Sequence, residues 1–170
     1  MKKKVLLFVL IVCLIGGGLF FFTKRSNKLD DRYVYADIST IKIGMTRDEV
    51  LKILPDDSYT DCFGAGFYVN DRKSGHLYNV KFSLTTPMSV ISITDTGVDV
   101  TYIATEDKLS LLKKGMTFDE LVQILGRPWG MRTFGVITME WKINDFDHTV
   151  WLGFENGNMV FPGFPENVEP

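Results

Sequence analysis

Cysteine and histidine are nearly missing from this chain of 170 residues, which holds two of each: Cys13, Cys62, His76 and His148. Because Cys13 lies inside an apolar run, Cys62 has no partner for an internal disulfide, and the fold must rest on core packing. Cys62 reads as a small, partly buried residue. Neither histidine stands in a metal spacing such as His-Glu-x-x-His, and the chain contains no Gly-x-Ser-x-Gly elbow and no Cys-x-x-Cys pair. Both histidines fall beside turn signals and read as surface residues. Asp56-Asp57 with Asp61, and Asn144-Asp145 with Asp147, lack the loop glycine and distal glutamate of a calcium loop. They read as solvated loop acids. No excess of charge of one sign exists either: 19 basic against 21 acidic residues give a net charge of −2 without long runs. Such a surface has no basic footprint for nucleic acid, and that partner class is excluded. No catalytic residues, no metal and no cofactor are expected, and the protein is not expected to be an enzyme.

One long apolar run is present. Lys2-Lys3-Lys4 precedes Val5 to Phe22, which carries no charge, and Thr23-Lys24-Arg25 follows. At about 1.5 Å per residue the run reaches about 27 Å, near the hydrocarbon thickness of a bilayer. It is expected to be an uncleaved signal anchor (residues 1–25, spanning over 5–22) with the N-terminus cytoplasmic and the rest outside the cytoplasm. A cleaved signal peptide, or a lipid signal modified at Cys13, would instead give a secreted or lipid-anchored protein. Gly16-Gly17-Gly18 lies within the run and is no phosphate loop. Residues 26–37 are expected to be a polar tether.

Beyond the tether one sentence is written twice. Ile41-Lys-Ile-Gly-Met-Thr-Arg-Asp-Glu-Val-Leu-Lys-Ile-Leu54 returns 71 positions later as Leu112-Lys-Lys-Gly-Met-Thr-Phe-Asp-Glu-Leu-Val-Gln-Ile-Leu125. Eight of the fourteen positions are identical, which marks a duplicated structural unit: repeat 1 over 38–105 and repeat 2 over 106–165. Thr46 with Glu49, and Thr117 with Glu120, have capping-box spacing, so a helix is predicted to start at each. Met45 and Val50, like Met116 and Leu121, have the spacing of a hydrophobic staple, while Asp48 and Asp119 favour the positive helix end. Pro55 stops the first helix and Gly126, with Pro128 beyond it, the second. Helices this short need a flat apolar partner.

Period-2 alternation supplies one. Tyr78, Val80, Phe82 and Leu84 alternate with polar residues, as do Ile137, Met139, Trp141 and Ile143, which predicts strands with one wet face. Further strands are expected at 66–70, 89–94, 98–103, 132–134, 150–154 and 159–161, with Asn156-Gly157 as a hairpin turn. The fold class expected is α+β: two tandem helix-plus-antiparallel-sheet repeats, helices on one face of a single shared sheet. If Val150, Leu152 and Phe154 face the helices, Trp151 points to the helix-free side as a binding residue, with Trp129 and Phe161 as further members of that surface.

The repeated Gly-Met-Thr-x-Asp-Glu-(Val/Leu)-x-x-Ile-Leu, with Gly126-Arg127-Pro128 after the second copy, resembles the motif of the family that includes the β-lactamase inhibitory protein and the outer-membrane assembly lipoproteins of the SmpA/OmlA type. The resemblance covers about residues 38 to 161. It implies a binding scaffold without catalysis, built from a helical segment on antiparallel sheet. The function expected is a membrane-anchored, extracytoplasmic protein-binding module serving envelope protein assembly or inhibiting a secreted enzyme. A cell-wall or small-ligand sensor and a hydrolase are the alternatives.

Overall fold

The computed structural model describes residues 29–62, 66–134, 136–155 and 158–163, giving backbone alone for 132–134, 136 and 161–163. Each repeat opens with a 3-10 segment, Ile38–Thr40 in the first and Glu106–Leu111 in the second. A short α-helix follows in each, α1 (Arg47–Ile53) and α2 (Phe118–Leu125). Four antiparallel strands complete each unit. The first has β1 (Tyr59–Asp61), β2 (Gly66–Asn70), β3 (His76–Phe82) and β4 (Val90–Asp99). The second has β5 (Gly130–Phe134), β6 (Val136–Ile143), β7 (His148–Glu155) and β8 (Asn158–Gly163). Both sheets run in simple sequential order. The expected strand at 89–94 falls in β4, which continues through Gly97 (φ 70°) to Asp99, while residues 100–103 of the strand expected over 98–103 lie outside it. Leu84 lies beyond the end of β3 and is 85% exposed. Asn156-Gly157 falls outside the described residues, as does Val5–Phe22; among the described residues no helix is long and apolar enough to cross a membrane.

Both helix starts carry the capping box spelled by the sequence. Thr46 and Thr117 accept from the backbone N–H of Glu49 and Glu120, whose carboxylates accept from the Thr backbone N–H groups at 2.8 Å in both copies. The preceding Gly-Met pair has a job the sequence did not disclose. Gly44 N–H donates to Val90 O and Val90 N–H to Met45 O, and Gly115, Met159 and Met116 repeat this ladder at the same 2.8 Å. The motif therefore stitches each helix entry to the last strand of its own sheet. Gly44 and Gly115 reach that position at φ 89° and 90°, where an L side chain is strained.

The fold class needs correction. The described residues are mostly antiparallel β, in two separate four-stranded sheets with two short α-helices among them, and the expected α+β arrangement on one shared sheet is overturned. The reason is visible in β2, whose five residues are all buried. Phe67 and Val69 join Val50, Leu54, Val80 and Phe82 in the core under α1. Tyr68 on the opposite face, with Leu77 of β3, belongs to a second core with Leu121, Val122 and Leu125 of α2 and with Met139, Trp141, Leu152 and Phe154 of the second sheet. A first sheet apolar on both faces needs a layer on each. Joining the sheets edge to edge would leave Tyr68 and Leu77 in water at a cost of roughly 2 kcal/mol each. The layers therefore stack as α1, first sheet, α2, second sheet. α2 touches both of its neighbours: Phe118 stacks on Phe154 with ring centroids 4.2 Å apart, while the Gln123 side chain donates to Thr96 O at 2.8 Å.

The segment expected as a tether joins this structure from Leu29 on. Tyr33, Tyr35 and Ala36 are buried. Ala36 N–H donates to Asn70 O, and Arg72 N–H donates back to Ala36 O, both at 2.8 Å. Arg32 pairs with Asp30 and reaches Asp145 in the second unit, so the strap lies across both repeats.

Candidate functional site

The second sheet has an inner face against α2 and an outer face on which no helix of the described residues lies. Its register decides which residues show outward. Val150, Leu152 and Phe154 are buried in the core, so Trp151 belongs to the outer row. Across the sheet this row reads Gly130, Glu140, Trp151 and Gly163, and Gly153 lies two positions along the same strand. Glycines are therefore neighbours of Trp151 at two positions of this row. Trp151 is half-buried rather than free-standing.

Glu140 forms an ion pair with Lys142, whose Nζ also donates to Thr149 Oγ1 at 3.0 Å. The charges beside the indole neutralise one another. A Cβ at Gly130 would stand 3.2 Å from Glu140 Oε2, so the missing side chain is what lets this carboxylate lie over β5. Half-buried Thr138 completes an outer face that is polar, close to neutral, and centred on one large aromatic.

Of the other two expected aromatics, Trp129 does not extend this surface. Gly130 occupies the outer row, so Trp129, one residue earlier, falls on the inner side. There it packs against the main core, with Tyr33 at 5.6 Å and Phe146 at 4.9 Å between ring centroids and the Arg127 guanidinium 4.8 Å from its ring centre. Trp129 serves to clamp the strap. The backbone of Phe161 pairs with Gly153, beside Trp151, and its side chain lies outside the described residues.

Sequence reasoning gave Asp48 and Asp119 the same task at the helix dipole, and the structure separates them. Asp48 is an exposed first-turn residue. Asp119 bridges the repeats: it accepts from Tyr68 Oη and Asn79 Nδ2, each at 2.6 Å, and from Lys81 Nζ at 2.9 Å. Burial pushes its pKa up, but the hydrogen bonds from Tyr68, Lys81 and Asn79 outweigh this and hold the carboxyl below its usual range. No spacing in the sequence marks this contact, because its donors come from the other repeat.

His76 is more than a turn residue. Its Nδ1 lies 3.1 Å from both carboxylate oxygens of Asp95, and Nε2 lies 4.0 Å from Asp99. Acids thus meet both ring nitrogens. Ser74 nearby accepts from the His76 backbone N–H, not from the ring, and donates to Asp71, so the group has no serine activated by the imidazole. Asp61, part of the acidic run, pairs with Arg47. Cys62 is buried, and burial drives its thiol pKa well up, away from thiolate chemistry. No cluster of three or more metal-ligating side chains forms among the described residues. Compared with protein-family models and with curated proteins, the chain matches none.

Proposed function

We propose that this protein is a non-catalytic, extracytoplasmic protein-binding module held to the membrane by Val5–Phe22, and that its contact surface is the outer face of the second sheet. One observation carries the reading: a near-neutral sheet face on which no described helix lies sets Trp151 among glycine neighbours next to a self-neutralised Glu140–Lys142 pair. A large aromatic in such a place loses little conformational entropy on contact and desolvates cheaply, the properties of residues that dominate interface energies. The resemblance of the repeated motif to the family of the β-lactamase inhibitory protein supports a binding scaffold and leaves the target undefined. The test uses full-length protein crosslinked in its own cells through a photoreactive residue at Thr149. A single captured partner is expected, and Trp151→Ala should weaken its binding by about 2 kcal/mol, roughly thirtyfold, with the fold retained. Partner binding indifferent to Trp151→Ala would remove the outer face from the function.

A further inference from the structure

The strap shortens the link to the membrane. Leu29 already packs against the main core, Tyr33 N–H donates to Asp30 O at 3.1 Å, and Tyr33 and Tyr35 are buried. Only the six residues from Thr23 to Lys28 then separate the apolar run from folded protein. Fully extended, the seven steps from Phe22 to Leu29 reach about 25 Å, whereas a tether running free to Asp37 would reach about 50 Å. A globule of about 130 residues is about 35 Å across. The link is shorter than the domain is wide, so the domain cannot stand clear of the bilayer by its own width.

The strap also fixes which end of the second unit lies nearest the link. Arg32 Nη1 meets Asp145 at 3.4 Å, and its guanidinium lies 6.0 Å from the Phe146 ring centre. Phe146 in turn meets Trp129, and Trp129 meets Tyr33. Asp145 and Phe146 belong to the β6–β7 turn, which Ile143 and His148 flank as a pair. Trp151 lies three residues beyond His148 on β7, about 10 Å along the strand. The outer face of the second sheet thus begins at the strap end of the domain. Resting on the anchor and the contact face proposed above, we infer that the occupant of this face is a different protein resident in the same membrane, engaged close to where its chain leaves the bilayer. A shared bilayer and a short link raise the effective concentration of such a partner at Trp151, a gain that a freely diffusing partner does not receive. Lipid itself fits poorly, because Asp31, Asp145 and Asp147 are exposed at this end and anionic headgroups repel them.

The test crosslinks full-length protein through a photoreactive residue at Thr149 in its own membranes, first stripped of soluble and peripheral proteins with alkaline carbonate. One protein adduct is expected, and Trp151→Ala should remove it. A flexible spacer of about forty residues inserted between Asn27 and Lys28 should lower the yield about tenfold, and a helical spacer of equal length, about 60 Å, should abolish it. The flexible spacer decides the matter if the helical one is not exported, and protease resistance of the domain checks the fold of both. An adduct that Trp151→Ala removes but neither spacer weakens would overturn the membrane-resident partner and leave the contact face standing, as would loss of the adduct on stripping. An adduct to phospholipid, or one of twice the chain's mass, would overturn the inference in favour of lipid or a second copy. An adduct indifferent to Trp151→Ala would remove the contact face, and release of the chain itself by carbonate would remove the anchor; either takes this inference with it.

Discussion

Three glycines share a positive φ but not a reason for it. At Gly44 and Gly115 an added Cβ meets nothing within 4 Å, so the requirement is conformational alone. Gly126 (φ 80°) closes α2 against the chain, where an added Cβ would run into the main-chain oxygen of Tyr102; its own carbonyl accepts from Trp141 Nε1 at 3.1 Å. Gly44→Ala and Gly115→Ala should each cost about 1 kcal/mol, the strain of a left-handed alanine. Gly126→Ala should cost about 3 kcal/mol or more, because backbone must move as well. Urea unfolding of the three variants checks the order, and equal losses would refute the close approach at Gly126. The variable position inside the repeated motif shows how one side chain selects a neighbour. Phe118 stacks on Phe154 of the second sheet, whereas Arg47 lies over Phe67 at 5.2 Å and pairs with Asp61.

At the scale of elements, the caps were legible because their chemistry is local. A threonine three positions before a glutamate needs only its own backbone to act, and both boxes form with matching hydrogen bonds. Thr46→Ala and Thr117→Ala should each destabilise by about 1 kcal/mol, and the double variant by close to the sum, since α1 and α2 lie on opposite faces of the first sheet. Chemical denaturation of the single and double variants measures this; two losses within error of zero would contradict the helix starts. Strands with one wet face were readable from alternation, as β6 and β7 show. β2 was placed correctly at 66–70, but its burial on both faces was not readable, since alternation says nothing of a strand covered on both sides. The three-residue β1 was too short to leave a period.

Across the whole molecule, stability depends on α2 holding both sheets, and Asp119 is the polar part of that grip. Removing it strands the buried Tyr68 hydroxyl and the Asn79 amide, so Asp119→Ala should cost about 2–3 kcal/mol, against about 0.5 kcal/mol for Asp48→Ala, which loses only a dipole interaction. The effect has a defined pH sign. The folded carboxyl titrates below its unfolded value near 3.9, so its stabilisation is complete above that pH and fades as pH falls through the lower folded value. The gap in urea midpoint between wild type and Asp119→Ala should therefore be constant from about pH 7 to 5 and shrink below about pH 4. A gap that stays unchanged at pH 3 would mean that the charge of Asp119 has no part in joining the repeats.

By itself the sequence determined the duplication, both helix starts and most strands, because each follows from interactions within a few residues or from the two-residue period of a strand; the outward register of Trp151 depended on the burial of Val150, Leu152 and Phe154, which only the structure shows. Tertiary structure decided what those elements meet. Leu51 and Val122 occupy equivalent apolar positions in the two copies, yet Leu51 is half-buried and Val122 wholly so, since only α2 has a sheet on either side. The same asymmetry turned Asp119 into a bridge, drew Trp129 away from Trp151 to clamp the strap, and buried Arg127 with its guanidinium against the Trp129 ring. Each of these depends on which faces pack together, and two copies of one motif cannot encode that difference within themselves.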